Sequence, residues 1–362
     1  MRAAGADAVR IAGAEPLAQT RAQLEAAYAR GDLATWPYDA AHARRAADPG
    51  SILAAARSVI CIAVAYATPP ARPRRGRGRV ASYAWPADYH RRMRALLQTV
   101  AETVAVLAPE AECAIACDTA PLAERAFAAR AGLGWIGKHT NLIAPGLGSY
   151  VFLGEVVTTL ALAPDTPLRT SCGSCTRCVD VCPTRALRGD YTIDATRCIS
   201  DLTQRTGVIP RELRPLLGDW VWGCDLCQDV CPPTRRAARD RTAFAPLDAQ
   251  GAAPDLQQLL ALRSGTFKRR YAPTAMGWRG AAVLRRNAAV ALGNNLDRAD
   301  VDALARALRE DPHPDVRAHV AWALGRIGSP KADAALRAAL AAESQSLVIA
   351  EICAALELRS TG

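Results

Sequence analysis

The chain has 362 residues, 50% of them hydrophobic, and its 45 Lys and Arg against 35 Asp and Glu leave a formal charge of +10. That length and apolar content suffice for roughly two or three domains with cores of their own, which excludes a disordered or fibrous protein. The longest apolar stretch, Val59 to Ala67, is too short for a bilayer, and neither a basic-apolar leader nor a twin-arginine leader opens the sequence, so a cytoplasmic protein without membrane attachment is expected.

Up to about residue 165 helix and strand signals alternate. Leu17–Ala29 and Asp88–Leu107 carry helical periodicity, whereas Arg57–Tyr66, Glu112–Asp118 and Tyr150–Leu162 are β-rich apolar runs, which together predict an α+β domain. Between them Arg72, Arg74, Arg75, Arg77 and Arg79 crowd a Pro/Gly loop suited to neutralising phosphates. The arginine excess as a whole points to a polyanionic partner. Asp118, ahead of Thr-Ala-Pro, reads as the N-cap of a helix running to Arg130. The glycines of Gly132-Leu-Gly134-Trp-Ile-Gly137 follow a helix rather than a strand, so they are no dinucleotide fingerprint.

Pro164, Pro167 and the polar residues around Ser171 mark a boundary. Beyond it come two cysteine runs, Cys172-x-x-Cys175-x-x-Cys178-x-x-x-Cys182-Pro183 and Cys224-x-x-Cys227-x-x-x-Cys231-Pro232. Overlaid at an offset of 49 (175 to 224), they agree at three cysteines, and Val221 stands opposite Cys172. In two-cluster ferredoxins the cysteine before proline crosses to the other cluster. That rule assigns Cys172, Cys175, Cys178 and Cys231 to one 4Fe-4S cluster and leaves Cys182, Cys224 and Cys227 for a second. Cys198, the other cysteine between the runs, completes that set. Structural zinc is the alternative, since C-x-x-C pairs also bind zinc, but zinc has no use for the repeated Cys-Pro ending. Cys61, Cys113, Cys117 and Cys353 lie in apolar surroundings and read as packed thiols. Arg235, Arg236, Arg239 and Arg241 form a second basic cluster after the second run. The segment from 166 to 240 is poor in apolar residues, so the clusters themselves are expected to hold it together.

The C-terminus repeats with a period of 32 (292 to 324): Leu284-Arg-Arg-Asn-Ala-Ala-Val-Ala-Leu292-Gly matches Val316-Arg-Ala-His-Val-Ala-Trp-Ala-Leu324-Gly, and Leu356 continues the series. Second helices are expected over Asp300–Arg309 and Lys331–Ala342. Paired helices at this period are HEAT-like. Arg285, Arg286 and Arg317 are candidates for phosphate contact, and Trp85, Trp220 and Trp222 are candidates for base stacking, with apolar packing the simpler reading of each tryptophan.

The run from Asp118 through Glu124-Arg125 and Arg130 to Lys138, with Asn141–Pro145 and Gly148-Ser149-Tyr150-Val-Phe152-Leu-Gly154-Glu155, resembles the epoxyqueuosine reductase family, cobalamin-dependent iron-sulfur enzymes that complete queuosine in tRNA. Further matches follow in order along nearly the whole chain: Arg45-Ala-Ala-Asp48-Pro49, Tyr83, Asp88-Tyr89-His90, Cys198-Ile-Ser200, Gly223-Cys-Asp-Leu-Cys-Gln228 and Arg286-Asn287-Ala. The resemblance implies an α+β fold: a nitroreductase-like cobalamin-binding catalytic domain over 1–165, a two-cluster ferredoxin-type domain over 166–240, and a linker with C-terminal α-helical HEAT-like repeats over 241–362. It implies reduction of epoxyqueuosine to queuosine at the wobble position, with electrons passing from an external low-potential donor through two 4Fe-4S clusters to cob(II)alamin. It also implies an anticodon stem-loop as partner and a monomeric protein. Asp118 matches the family's proton donor, and burial beside the corrin and a cluster is expected to raise its pKa. Arg45, Tyr83, His90, Asp118, Lys138, Leu142, Ser149, Phe152 and Ser200 match positions that touch the cofactor or substrate. His139 stands where the family commonly has asparagine. Asp88-Tyr89-His90-Arg-Arg-Met93 begins like the D-x-H-x-x-G motif whose histidine ligates cobalt, but Met93 replaces the glycine, so base-off cofactor without a protein histidine ligand is expected. The alternative is a small-molecule corrinoid reductase, because reductive dehalogenases resemble the cobalamin and ferredoxin parts; those enzymes typically carry a twin-arginine leader and lack the HEAT tail.

Overall fold

The computed structural model describes residues 5–34, 36–69, 74–247 and 251–360, and Arg72 of the first basic loop lies outside them. Strands among these residues are β1 (Ala8–Gly13), β2 (Ser58–Ala65), β3 (Arg79–Val80), β4 (Cys113–Ala116), β5 (Trp135–Ile136), β6 (Leu142–Ile143), β7 (Val151–Thr158) and β8 (Trp220–Trp222). Two compact units form, and neither is a continuous stretch of chain. One comprises Met1–Pro69, Asp88–Cys198 and Asp225–Phe244; the other comprises Pro70–Ala87, Ile199–Cys224 and Ala245–Gly362.

The first unit is built on an antiparallel sheet of order β1-β2-β7-β4. β2, with the sequence SVICIAVA, is buried at every residue, because β-branched side chains fill both faces of the pleat. The helix Tyr89–Leu107 covers one face with Met93, Leu96, Leu97, Val100 and Val104, an i, i+3, i+4, i+7 stripe. Gly154 in β7 permits that approach: a Cβ there would lie 2.9 Å from Leu97 Cδ1 and 3.1 Å from Met93 Cε. On the opposite face Phe127 and Ala128 of the helix Glu124–Arg130 pack with Val59, Cys61, Ala116 and Val157. The predicted strands and the helices at 17–29 and 88–107 form within a residue or two of their sequence bounds at most sites. β1 had no sequence signal, since it is an edge strand with Ala12 its one buried residue. The cysteine-rich segment also has a protein anchor: Arg188 grips the buried Asp32 carboxylate at 2.6 and 3.1 Å, and Ala195 N–H donates to the Asp32 carbonyl at 2.7 Å.

The second unit holds the helical repeats. Ala281–Asn295, Pro314–Ile327 and Ser346–Ser360 are the first helices, and Val301–Glu310 and Pro330–Leu340 the second. The repeated Leu-Gly pair is where successive first helices touch. A Cβ on Gly293 would lie 2.7 Å from Trp322 Cζ3, and one on Gly325 would lie 2.7 Å from Ala355 Cβ. The segment Ile199–Cys224 belongs with these helices because Asn287 Nδ2 donates to the Thr203 and Val221 carbonyls at 2.7 and 2.8 Å. Arg214, buried, is paired with Glu351 at 2.8 and 3.0 Å. The division of the chain is therefore interleaved, where the sequence suggested three consecutive blocks.

Candidate active site

Four thiols of the first unit surround one space. Cys172, Cys175, Cys178 and Cys231 line a cavity of about 130 Å³ together with Trp135 and Ile143. Cys231 occupies the N-cap of the helix Pro232–Arg236, so the proline after it starts a helix whose N–H it would not need. Ser149 fixes this helix: its N–H donates to Thr234 Oγ1 at 3.0 Å, and the two hydroxyls lie 2.9 Å apart. Gly148 beside it has φ +72°, and a Cβ there would stand 2.6 Å from Thr234 Cα. Burial pushes the Cys178 thiol up to about 11, with Cys172 adding, so a metal must displace protons on binding. Zinc requires ligands at about 2.0–2.3 Å from one ion, and among the described residues no three His, Cys, Asp or Glu side chains converge in that way. Thiols set around a cavity suit a multi-iron cluster held by four cysteines.

Cys182, Cys198 and Cys227 belong to the same unit; Cys224 belongs to the other. Burial, then the charges of Cys198, Asp225, Cys178 and Cys182, push the Cys227 thiol well up, which places it among those groups. Cys178 of the first set thus adjoins the second. Ala186 N–H donates to Cys182 Sγ at 3.3 Å, a bond to sulfur of the kind that tunes cluster potentials and one that the cysteine spacing did not foretell.

Asp118 lies in the turn after β4, with φ +51°, a conformation uncommon outside glycine and asparagine-like residues. It is not a helix N-cap: the following helix begins at Glu124, with Ala123 at its cap. Nor does the protein bury it, for its side chain is 56% exposed. Its Oδ2 lies 3.0 Å from His90 Nε2, and His90 Nδ1 lies 2.6 Å from Asp88 Oδ1. Asp118 first, then Asp88, raise the affinity of His90 for a proton against the opposing effect of burial. The same Asp88 oxygen accepts the His90 N–H at 3.1 Å and caps the helix that carries His90, so one residue starts the helix and aims the ring. Arg91 and Arg94 on that helix are exposed.

The remaining sequence-matched positions separate. Arg45 is exposed in the last turn of the helix Ala40–Ala46. Lys138 Nζ donates to the Gly173 carbonyl at 2.9 Å, inside the first cysteine run. Leu142 sits in the core beneath the helix Glu124–Arg130, and Phe152 is stacked on Tyr66 and Tyr89. His139 is buried, and burial lowers its pKa to about 4. Tyr83 and Ser200 belong to the second unit, where the Tyr83 hydroxyl accepts from Trp222 Nε1 at 3.0 Å and Ser200 Oγ accepts from Gln204 at 3.0 Å. Trp85, Trp220 and Trp222 are all buried, so none offers a stacking surface.

The three arginines proposed for phosphate are corrected. Arg286 is 1% exposed and donates to the carbonyls of Leu202, Arg205 and Gly207 at 2.7–2.9 Å. Arg285 is paired with the buried Asp311 at 2.6 Å, and Arg317 with Glu343 at 2.7 Å. All three guanidinium groups are already engaged within the second unit. Sequence reasoning also passed over Glu124 and Glu155, though an acid within the apolar run Val151–Thr158 was a visible signal.

Residues 171–234 match a sequence model described as a 4Fe-4S double cluster binding domain, and residues 280–357 match one for HEAT repeats. Residues 46–119 match the model "Epoxyqueuosine reductase QueG, DUF1730". An epoxyqueuosine reductase of Bacillus anthracis is 36% identical over 316 residues, 86% of this chain and 83% of its own. A crystal structure of epoxyqueuosine reductase with an epoxyqueuosine-modified tRNA-Tyr stem loop superposes with a TM-score of 0.92 at 33% identity, covering 99% of this chain and 96% of that one. The Bacillus subtilis enzyme, solved with its catalytic aspartate loop swung out of the active site, gives a TM-score of 0.91 at 32% identity over the same shares. Likeness of this extent, on a chain whose thiols already stand in two-cluster spacing ahead of HEAT repeats, means that the chain belongs to the epoxyqueuosine reductase family.

Proposed function

We propose that this protein is an oxidoreductase that reduces epoxyqueuosine to queuosine at the wobble position of tRNA. One arrangement carries the reading: Asp118, His90 and Asp88 are joined side chain to side chain in the unit that also holds the thiol-lined cavity. Converting an epoxide to an alkene consumes two electrons and two protons and releases water. The site must therefore deliver both electrons and acid. When bound, base-off cob(II)alamin and two 4Fe-4S clusters supply the electrons, drawn from an external low-potential donor. Cys172, Cys175, Cys178 and Cys231 would hold one cluster, and Cys182, Cys198, Cys224 and Cys227 the other. Asp118 donates a proton to the oxygen as charge develops there, and His90, with its raised proton affinity, refills Asp118 through the Nε2–Oδ2 bond. The exposure of Asp118 leaves it open to a ligand that then excludes water.

Both ring nitrogens of His90 face carboxylates, which supports a cofactor bound without a histidine ligand to cobalt. Met93, at the glycine position of the cobalt-binding motif, is buried in the sheet packing. Electron paramagnetic resonance of the Co(II) protein is expected to lack strong nitrogen coupling; its presence would overturn the base-off assignment. An anticodon loop is already single-stranded and exposes its base at little unstacking cost. Arg91 and Arg94, on the helix of His90, offer cations to its phosphates. A tRNA substrate fits a cytoplasmic reaction, and the proposed form is a monomer. Among the described residues no helix is long and apolar enough to cross a membrane.

The test is anaerobically reconstituted protein with cobalamin, a low-potential reductant and tRNA bearing epoxyqueuosine, followed by mass spectrometry of the digested nucleosides. Loss of one oxygen, dependent on cobalamin, is the expected result. An unchanged epoxide with intact clusters and bound cobalamin would replace this reading with a small-molecule corrinoid reductase.

A further inference from the structure

Two acids with no part in that scheme stand behind Asp118. Glu155 occupies the middle of β7, with Cys61 of β2 and Ala116 of β4 as its register partners. It is fully buried, and neither of its carboxyl oxygens has a hydrogen-bond partner among the described residues. Cross-strand partners share a face, so its carboxyl lies on the side that Phe127 and Ala128 cover. A carboxylate cannot be kept charged in such a place without a counter-charge. Burial, with the Glu124 charge adding, accordingly pushes Glu155 well above the usual carboxylate range and keeps it neutral.

Glu124 is different. It opens the helix Glu124–Arg130, half-buried, and its Oε1 accepts the backbone N–H of Asp118 at 2.5 Å. A first-turn glutamate is often no more than a partner for the helix dipole. This one reaches back to a residue held at φ +51°, a conformation that persists when its surroundings enforce it. With His90 on the carboxylate and Glu124 on the backbone, Asp118 is held at both ends.

We propose that Glu124 is a positioning residue for Asp118, a latch on the backbone of its loop that tightens and loosens with a proton. The proposal rests on the role given to Asp118 above. Burial pushes Glu124 up to about 7, the Asp118 N–H pulling it down and the Asp118 charge up, with Arg125 and His90 also lowering it. Above that value the latch is a charge-assisted bond; below it, the bond is neutral and roughly half as strong. The other groups facing the pair are Cys61 and Cys117, thiols that burial keeps protonated, Cys117 being pushed up to about 12. Glu155 is neutral throughout, and His90 also titrates, above its ordinary value, so the part of the change that belongs to Glu124 is the part that Glu124→Gln removes.

The test uses the full-length protein with its clusters and cobalamin. Amide hydrogen exchange over residues 117–123, corrected for the intrinsic effect of pH, is expected to be several-fold faster at pH 6 than at pH 8, and Glu124→Gln should make it fast at both. In turnover, Glu124→Gln should lower kcat by about 10-fold to 100-fold, leave KM for the tRNA unchanged and abolish the acid limb of the pH profile. Glu155→Gln should retain that limb. If the Gln variant of Glu124 does not fold, Glu124→Asp keeps the carboxylate on a shorter arm and should keep the limb at reduced kcat. Wild-type exchange and kinetics in Glu124→Gln, or loss of the limb in Glu155→Gln instead, would overturn the latch. If the wild type does not deoxygenate the tRNA at all, the reaction assigned above fails, and pH-dependent exchange abolished by Glu124→Gln still establishes the latch.

Discussion

Asp118→Asn is expected to retain both clusters and cobalamin and to lose turnover by about 10²-fold to 10⁴-fold, the usual worth of a positioned acid. The substitution preserves shape, and the Asp118 N–H that Glu124 accepts is a backbone group, so the turn has no reason to move. What disappears is the titratable oxygen between His90 and the substrate. His90 reports the change independently. Asp118 is the leading cause of its raised pKa, so in the variant its titration should fall back toward the ordinary histidine value, read by NMR of the ring protons. In the wild type the proton on His90 is held below its raised pKa and lost above it, which sets an alkaline limb that Asp118→Asn should shift downward. Near-wild-type turnover in Asp118→Asn would remove Asp118 from the chemistry.

Arg286→Ala is expected to destabilise the protein by at least about 3 kcal/mol, because it strands three carbonyls whose orphaning costs about 1–3 kcal/mol each. The acceptors are Leu202, Arg205 and Gly207, and the guanidinium also holds Asn287 Oδ1 at 2.9 and 3.1 Å. Burial already pulls the Arg286 pKa down to about 9, a sign of how little solvent reaches it. A phosphate contact would behave in the opposite way. Its loss would reduce the slope of log K against log salt for tRNA by about 0.7–0.9 and leave the melting temperature alone. Thermal melts and a salt titration of tRNA binding on the same variant separate the two roles, and an unchanged melt with a shallower slope would restore Arg286 to the nucleic-acid surface.

The parts legible in the sequence were those fixed by local rules. Cysteine spacing is set by the ligand geometry of a cluster, and it brought Cys231 from the second run to the three thiols of the first. The strand at Ser58–Ala65 announced itself by an unbroken apolar run, and the HEAT helices by the recurrence of Leu292 and Leu324. Misreadings arose where the deciding partner is distant in the chain. Arg286 looked like a surface arginine because the carbonyls it binds lie about eighty residues earlier. Asp118 looked like a cap because Thr-Ala-Pro suits one, but the chain spends those residues on a turn and starts its helix at Glu124. Glu155 is the converse case: a charge written into an apolar strand, whose meaning needed the sheet register to become visible.

The interleaving of the two units also has a temporal meaning. The last segment of the first unit, Asp225–Phe244, leaves the ribosome before the repeat helices are made. All eight candidate ligand cysteines precede the first repeat helix in the order of synthesis, so they are available to iron while most of the repeat helices are still untranslated. The excursion Ile199–Cys224 must wait longer. Its carbonyls at Leu202, Arg205 and Gly207 have no guanidinium until Arg286 is synthesised. During that interval the stretch between Cys198 and Cys224 is a tethered, unfinished loop, and a ribosome that stalls before residue 286 would leave a chain able to take up iron but unable to close that loop.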